Sequence, residues 1–325
     1  MRRRKIDDIA QAAGVSSSTV SRVFNGRPYV KDEVRRRILR IAAELGYAPN
    51  VTARRPVISI LVGDYAMESS YSASLLTGLY RTAAEHGFVV EMVRLPEIER
   101  VYQNLSKAVI ALIYCERDAE IVRSIRHIPV LTVNYITDHC SYVCTDHAGG
   151  IEQAVDHLAA HGHERIGLLL APGEDDMPWG EAARRDGYCR ALAAHGIAVR
   201  RELISYGPAP VAERLGRLLL AGRPTALIVC GESLTMPVRY ALALLKCRIP
   251  EDLSVVEFYT ANITPYLLPA PSCVRQDFPG IAAAVLRELE TLLKNPAGRS
   301  EVMLPNDFIV GDSVRDRSDE TITEG

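Results

Sequence analysis

The chain has 325 residues, room for two domains at roughly 150 residues each. With 48% apolar and 24% charged residues and 18 prolines it reads as globular, which excludes a disordered or fibrous protein. No apolar run reaches the roughly 18 residues of a membrane span, the basic start MRRRKIDDIA runs into acids and not into the apolar core of a secretory signal, and seven dispersed cysteines point to a reduced, cytoplasmic protein.

The net charge of −2 conceals an asymmetry. Residues 1–55 carry 13 Lys and Arg against 5 Asp and Glu, whereas the remainder carries 25 against 35. A basic head on an acidic body suggests that the head meets a polyanion. In that head, Ile6, Ile9, Ala10 and Ala13 recur at helical spacing. Gly14-Val15 breaks the helix, and Ser16 is a good N-cap for a second. On a helical wheel Val20, Val23 and Phe24 gather on one side, while Ser17, Ser18, Ser21, Arg22 and Asn25 fall within about 140° on the other. A third helix follows, with Val34, Ile38, Ile41 and Leu45 as its buried stripe and Gly46 as its stop.

Three short helices, the first two joined by a tight glycine turn, form a helix-turn-helix unit whose second helix enters the major groove of duplex DNA. Arg22 can span guanine O6 and N7 with two parallel hydrogen bonds. Ser17 and Ser18 lie at the helix start but specify bases weakly, and Thr19, Ser21, Asn25 and the run Arg35–Arg37 suit phosphates. Feature by feature, a helical bundle with an arginine-rich solvated face explains the same residues.

The letters say more. The core AxxAGVSxxTVSRVxNG over Ala10–Gly26 and the ELGYxPN end over Glu44–Asn50 closely resemble the DNA-binding head of the LacI/GalR family of bacterial transcription regulators. The resemblance implies that Ser17, Ser18 and Arg22 read bases while Thr19, Ser21 and Asn25 grip the backbone. Lys5 and Lys31 stand where the family usually has a Ser or Thr cap, with Asp32 the expected substitute for the second. The family also implies a hinge helix of about ten residues that pushes a leucine into the minor groove. Here Pro49-Asn50-Val51-Thr52-Ala53-Arg54-Arg55-Pro56 leads at once into a strand, and Pro56 holds the leucine position. Proline cannot continue a helix interior. The expectation is a reduced wedge, with Arg54 and Arg55 left to approach DNA.

From residue 57 strand-like runs (Val57–Val62, Phe88–Val93, Val109–Tyr114, Val130–Val133, Tyr142–Cys144, Ile166–Leu170, Ala226–Val229, Val255–Phe258) alternate with helical segments such as Ser74–His86, Ile151–His161 and Glu181–His195. That alternation predicts α/β lobes, parallel sheets with helices on both faces, binding ligand at the carboxyl ends of the strands. The expected domains are a helix-turn-helix head over 1–50, a shortened linker over 51–56, a two-lobed body over 57–314 and a disordered tail over 315–325. The family resemblance continues through His157-Leu158 with His161-Gly162-His163-Glu164-Arg165-Ile166, through Arg184-Arg185-Asp186-Gly187-Tyr188 with Ala191-Leu192, through Pro250–Val256, and through Val274-Arg275-Gln276. It implies a periplasmic-binding-protein-like body that binds an effector and dimerises.

Arg184 matches the family's ligand-binding arginine, and Asp146 a recurrent Val-Asp position. Departures surround them: Glu232 and Ser233 replace an Asn-Asp pair, Tyr259 replaces the aspartate that takes sugar hydroxyls, and Gly63–Tyr71 carries Tyr65, Met67 and Tyr71 in place of Asn-Pro-Phe-Phe. The effector-binding candidates are Tyr65, Tyr71, Asp146, Trp179, Arg184, Glu232, Tyr259 and Gln276. Because Arg favours carboxylate or phosphate, an anionic or aromatic small ligand is expected; a body that has lost effector binding and only dimerises explains the same departures. His139, Cys140, Cys144 and His147 lack the paired spacing of a zinc site, and no nucleotide-binding or hydrolase motif occurs, so neither metal, cofactor nor enzyme activity is expected. The reading is a homodimeric, cytoplasmic regulator, a repressor, on a palindromic duplex operator, without membrane contact. The competing readings are a small-molecule binding protein or enzyme with a vestigial head, and a regulator without an effector.

Overall fold

The computed structural model describes residues 5–24, 30–47, 55–63, 70–171 and 177–318. They cluster into two compact units: Met1–Glu68, Leu75–Val143 and Ala282–Val302 form the first, and Ser69–Ser74, Cys144–Ile281 and Met303–Gly325 the second.

The head opens the first unit with α1 (Ile6–Ala13), α2 (Ser17–Phe24) and α3 (Asp32–Glu44). Its core is Ile9, Ala10, Ala13, Val20, Val23, Ile38, Leu39 and Ala42, all buried. The predicted α3 stripe is thus rotated slightly: Leu39 and Ala42 join Ile38 in the interior, while Val34, Ile41 and Leu45 pack at its margin. Two family glycines have physical reasons. Gly14 ends α1 at φ 63°, letting Val15 N–H reach the Ala10 carbonyl at 3.0 Å; Gly46 repeats the device at φ 61°, with Tyr47 N–H on the Ala42 carbonyl at 2.8 Å. The Tyr47 ring then lies 5.4 Å from that of Phe24, closing the bundle.

The helix starts differ from expectation. Lys5 caps α1 with help from Asp8, whose carboxylate accepts the Lys5 backbone N–H at 2.7 Å. At α3 the N-cap is Lys31 itself, without a side-chain bond. Asp32 is already helical, so it acts with Glu33 on the positive end of the helix dipole and not as a cap. Residues 48–54, where most of the expected linker falls, lie outside the described residues. Arg55 and Pro56 are exposed, belong to no helix and lead directly into β1.

The first unit's sheet runs β11-β5-β4-β3-β1-β2, from β1 (Val57–Val62), β2 (Val89–Arg94), β3 (Ala108–Leu112), β4 (Val130–Val133), β5 (Ser141–Thr145) and β11 (Glu301–Leu304). The pairs from β2 through β5 are parallel. Three helices lie between these strands in sequence: α4 (Ser70–Glu85), the short α5 (Arg100–Gln103) and α6 (Glu116–Val122).

The second unit's sheet runs β12-β10-β9-β8-β6-β7, from β6 (Ile166–Leu169), β7 (Ile204–Ser205), β8 (Ala226–Val229), β9 (Ser254–Phe258), β10 (Ser272–Arg275) and β12 (Asp307–Ile309). It is parallel as expected, with one antiparallel pair at its edge, where β12 runs against β10. Its helices are α7 (His147–Ala160), α8 (Trp179–Ala194), α9 (Val211–Gly222) and α10 (Thr235–Leu244), and α11 (Phe278–Lys294) follows β10. Strand side chains alternate between faces: Ile166, Leu168, Ala226, Ile228 and Val256 face α7 and α8, while Leu169, Leu227, Val229 and Val255 face α9 and α10.

The RxxGYxxAL segment is a packing device. A Cβ on Gly187 would lie 2.6 Å from the Ala148 carbonyl, so only glycine lets α8 cross α7 this closely. Tyr188 is fully buried and donates to the Ile166 carbonyl at 2.6 Å, with Leu192 in the same core. The first residues of the expected tail, 315–317, are bonded to the second unit. The buried His163 ring bonds the Arg315 carbonyl through Nε2 (3.1 Å), Arg315 N–H donates to Ser254 Oγ (2.9 Å) and Arg317 N–H to the His161 carbonyl (2.9 Å). Residues 319–325 lie outside the described residues.

Candidate DNA-reading helix and effector site

The reading helix is set by its start. Ser16 Oγ accepts the Thr19 backbone N–H at 3.2 Å and bonds the hydroxyls of Ser18 and Thr19, each at 2.8 Å. Ser17 donates to the Asp7 carboxylate of α1 at 2.5 Å, so part of its hydroxyl capacity is already committed. Val20 and Val23 anchor one side of α2 in the head core. On the other side Ser18 and Arg22 are exposed and Ser17, Thr19 and Ser21 half-buried. The predicted face therefore exists as one surface, with Arg22 its only long, permanently charged donor among the described residues. Arg55 is exposed; Asn25 and Arg54 lie outside the described residues.

The predicted effector residues separate into a cluster and a remainder. In the second unit Arg184 and Glu232 are 9% and 7% exposed. The Arg184 guanidinium lies 4.7 Å from the Phe258 ring centre and donates to the Glu181 carboxylate one helical turn earlier. Glu181 also accepts the Ala171 backbone N–H at 3.2 Å. Burial is the largest single influence and opposes the Arg184 charge, but Glu181, through its field and its hydrogen bond, together with Cys230 and Tyr71 holds the group above its ordinary value. Burial pushes the Glu232 carboxyl up to about 7, against the opposing pull of Arg184. His147, first residue of α7, is buried, and desolvation followed by the Arg184 charge drives it well below its ordinary value, so its ring is neutral. Trp179 sits edge-on to it at 5.4 Å. Tyr71 packs against Phe278 at 5.5 Å, and its phenol is felt by Arg184.

Several buried polar atoms here find no hydrogen-bond partner among the described residues: both ring nitrogens of His147, Arg184 Nε, Glu232 Oε2 and Thr235 Oγ1. Leaving such groups unpaired costs about 1–3 kcal/mol each, so the cluster is suited to a small polar molecule that completes them. Local contacts hold three of the remaining candidates. Asp146 caps α7, accepting the Gly149 N–H at 2.8 Å, and Gln276 donates to Thr145 Oγ1 at 2.9 Å. Tyr259 is half-buried and its phenol lies in the field of Arg275. Tyr65 lies outside the described residues. Sequence reasoning missed Glu181, His147 and Phe258. Only the first had a readable signal, the three-residue spacing from Glu181 to Arg184 on a predicted helix. Among the described residues no group of three or more His, Cys, Asp or Glu is placed to hold a metal, and no helix is long and apolar enough to cross a membrane.

Comparison with known proteins agrees with both parts. The model for bacterial regulatory proteins of the lacI family matches residues 5–50, and that for a periplasmic binding protein-like domain matches residues 155–314. The HTH-type transcriptional regulator AscG of Escherichia coli (strain K12) is 30% identical over 293 residues, 82% of this chain and 85% of that one. The probable HTH-type transcriptional repressor ExuR of Bacillus subtilis (strain 168) is 26% identical over 338 residues, 95% and 98% of the two chains. Among solved structures, a complex of the transcriptional regulator CelR with cellobiose superposes with a TM-score of 0.69 at 25% identity, covering 96% of this chain and all of the other. The chain belongs to the LacI family of bacterial regulatory proteins, transcription regulators that join a helix-turn-helix head to a periplasmic-binding-protein-like body.

Proposed function

We propose that the protein is a cytoplasmic, homodimeric repressor without enzyme activity, reading a palindromic operator with α2 and answering to a small molecule bound in the second unit. In this reading Ser17, Ser18 and Arg22 contact bases, Thr19, Ser21 and Asn25 contact phosphates, and Arg54 and Arg55 approach phosphates or the minor groove. The head spans residues 1–50, the linker 51–56 and the body 57–314, followed by a tail. The observation that carries it is the exposed Ser18–Arg22 face on a helix whose opposite side is locked into a core. Phosphate contacts make binding fall steeply with salt.

The effector reading sharpens. Arg184 is already met by Glu181, with a second carboxyl at Glu232, so the cluster carries no net positive charge to draw an anion. Neutral His147 and the Trp179 and Phe258 rings offer uncharged hydrogen bonding beside aromatic faces. An uncharged, hydroxyl-bearing ring such as a sugar suits that chemistry better than the anion anticipated from Arg184 alone, and the similar CelR structure holds cellobiose. Bound ligand acts by differential affinity for two states of the body.

The test is quantitative binding to a selected operator and to a scrambled duplex. Arg22→Ala is expected to lose about 1–3 kcal/mol of discrimination, roughly 5- to 150-fold, while keeping salt-sensitive nonspecific binding. An unchanged operator preference overturns the assignment of Arg22.

A further inference from the structure

The head is not simply tethered to the rest of the first unit; it is docked on it. Tyr102, from α5 in the body, is 5% exposed and belongs to the same core cluster as Ile9, Val20, Ile38 and Ala42 of the head. Its hydroxyl donates to the Arg126 carbonyl at 3.2 Å and accepts the Arg126 N–H at 2.9 Å, so the ring is held from the body side while its face is spent on the head. Leu105 and Ile128 pack on that core from the same side. Above the ring, Arg40 of α3 lies 5.8 Å from its centre and pairs with Glu99 at 2.6 Å. The ion pair is half-exposed and by itself worth little. Its geometry, however, fixes the rotation of α3 about the anchored ring.

We infer that Tyr102 is a positioning residue for operator recognition: through the α3–α5 contact it sets where each head sits on the body, and thereby which half-site spacing the dimer accepts. The inference rests on the proposed DNA-reading function. The linker over 51–56, acting alone as a flexible coil, would leave its ends roughly 12–15 Å apart on average and would let two heads adapt to many spacings. A docked head does not adapt, because dimers bind half-sites whose separation mirrors the separation of their recognition helices.

The experiment pairs a DNA-free and a DNA-bound readout on the full-length protein. Amide relaxation reports whether the head tumbles with the body, and binding is measured on a single half-site and on palindromes whose central spacer is lengthened or shortened by one to four base pairs. For the wild type we expect common tumbling and one preferred spacing, favoured at least tenfold. For Tyr102→Ala we expect a head that tumbles as a small module and a spacing preference reduced to threefold or less, with single half-site affinity within twofold of wild type. Tyr102→Phe, which keeps the ring, should retain the preference. Should Tyr102→Ala perturb folding, Glu99→Arg, at a half-exposed position, provides the second test: it should broaden spacing by placing like charges together, and adding Arg40→Glu should restore it. A wild-type head that tumbles freely, or variants with the wild-type spacing profile, overturns the inference. Common tumbling with no preference among any duplexes overturns instead the DNA-reading function on which it rests.

Discussion

Glu232 offers a quantitative check on the effector site, because its carboxyl is buried with Oε2 unpartnered. Burial raises its pKa to about 7, against about 4.3 for a free glutamate, and each pH unit of difference corresponds to about 1.36 kcal/mol. A carboxyl whose folded pKa lies above its unfolded value binds its proton more tightly in the fold. Its effect on stability is therefore most favourable below about pH 4, is lost as pH rises towards 7, and then levels off. Glu232→Gln keeps the shape and removes the titration. The stability of the variant relative to wild type should rise with pH, by about 1 kcal/mol from this source near pH 5 and by between roughly 3 and 4 near pH 8.5. His147 works in the opposite sense: its depressed folded pKa makes stability fall as the pH drops below its unfolded value near 6.5. Being common to both proteins, that effect cancels in the difference. Urea unfolding of the two proteins at five or six pH values gives the curve. Parallel stability profiles would show that Glu232 is solvated or fully paired, and the argument that its buried carboxyl awaits a ligand's hydrogen bond would fail.

The other expectations concern packing and pairing. Gly187→Ala forces a methyl against the Ala148 backbone, which cannot swing aside as a side chain would. Overpacking of that kind costs about 1–3 kcal/mol or more; a urea midpoint within error of wild type would contradict the close α7–α8 crossing. Glu257 is 1% exposed and held by three bonds from Arg239, at 2.9, 3.1 and 3.3 Å. Arg239→Met strands that carboxylate and should destabilise by about 3–5 kcal/mol, whereas adding Glu257→Leu should recover most of the loss. If the double variant is no more stable than the single one in chemical denaturation, the buried charge is not the cause.

How much could be read from the letters varied with the range of the interaction. The head helices were legible because burial there follows the helical period, strands such as Val57–Val62 and Val130–Val133 because they are short, nearly continuous buried apolar runs, and the glycines at 14 and 46 announced helix ends directly. The edge strands β7, β11 and β12 are two to four residues long and have too little periodicity to stand out. At the effector site, Arg184 and Glu232 were picked by type and position. Their state was not, because it depends on Glu181 and His147 being folded against them and on depth of burial. Asp146 shows a different gap: its type and position do not reveal that its carboxylate caps α7. Tyr102 carried no signal at all, since nothing in its short flanking sequence indicates that its ring completes the core of a domain lying earlier in the chain, between Ile9 and Ala42.

The stitching of residues 315–317 onto His161, His163 and Ser254 bears on how this protein can be recombined. A chimaeric junction cut at 314 would strip the His163 imidazole of a hydrogen-bond partner and Ser254 Oγ, at the start of β9, of its donor, even though every helix and strand survived. Swapping bodies between related regulators, or appending a reporter, therefore calls for a seam beyond residue 318, so that the clasps of residues 315–317 on the second unit are kept.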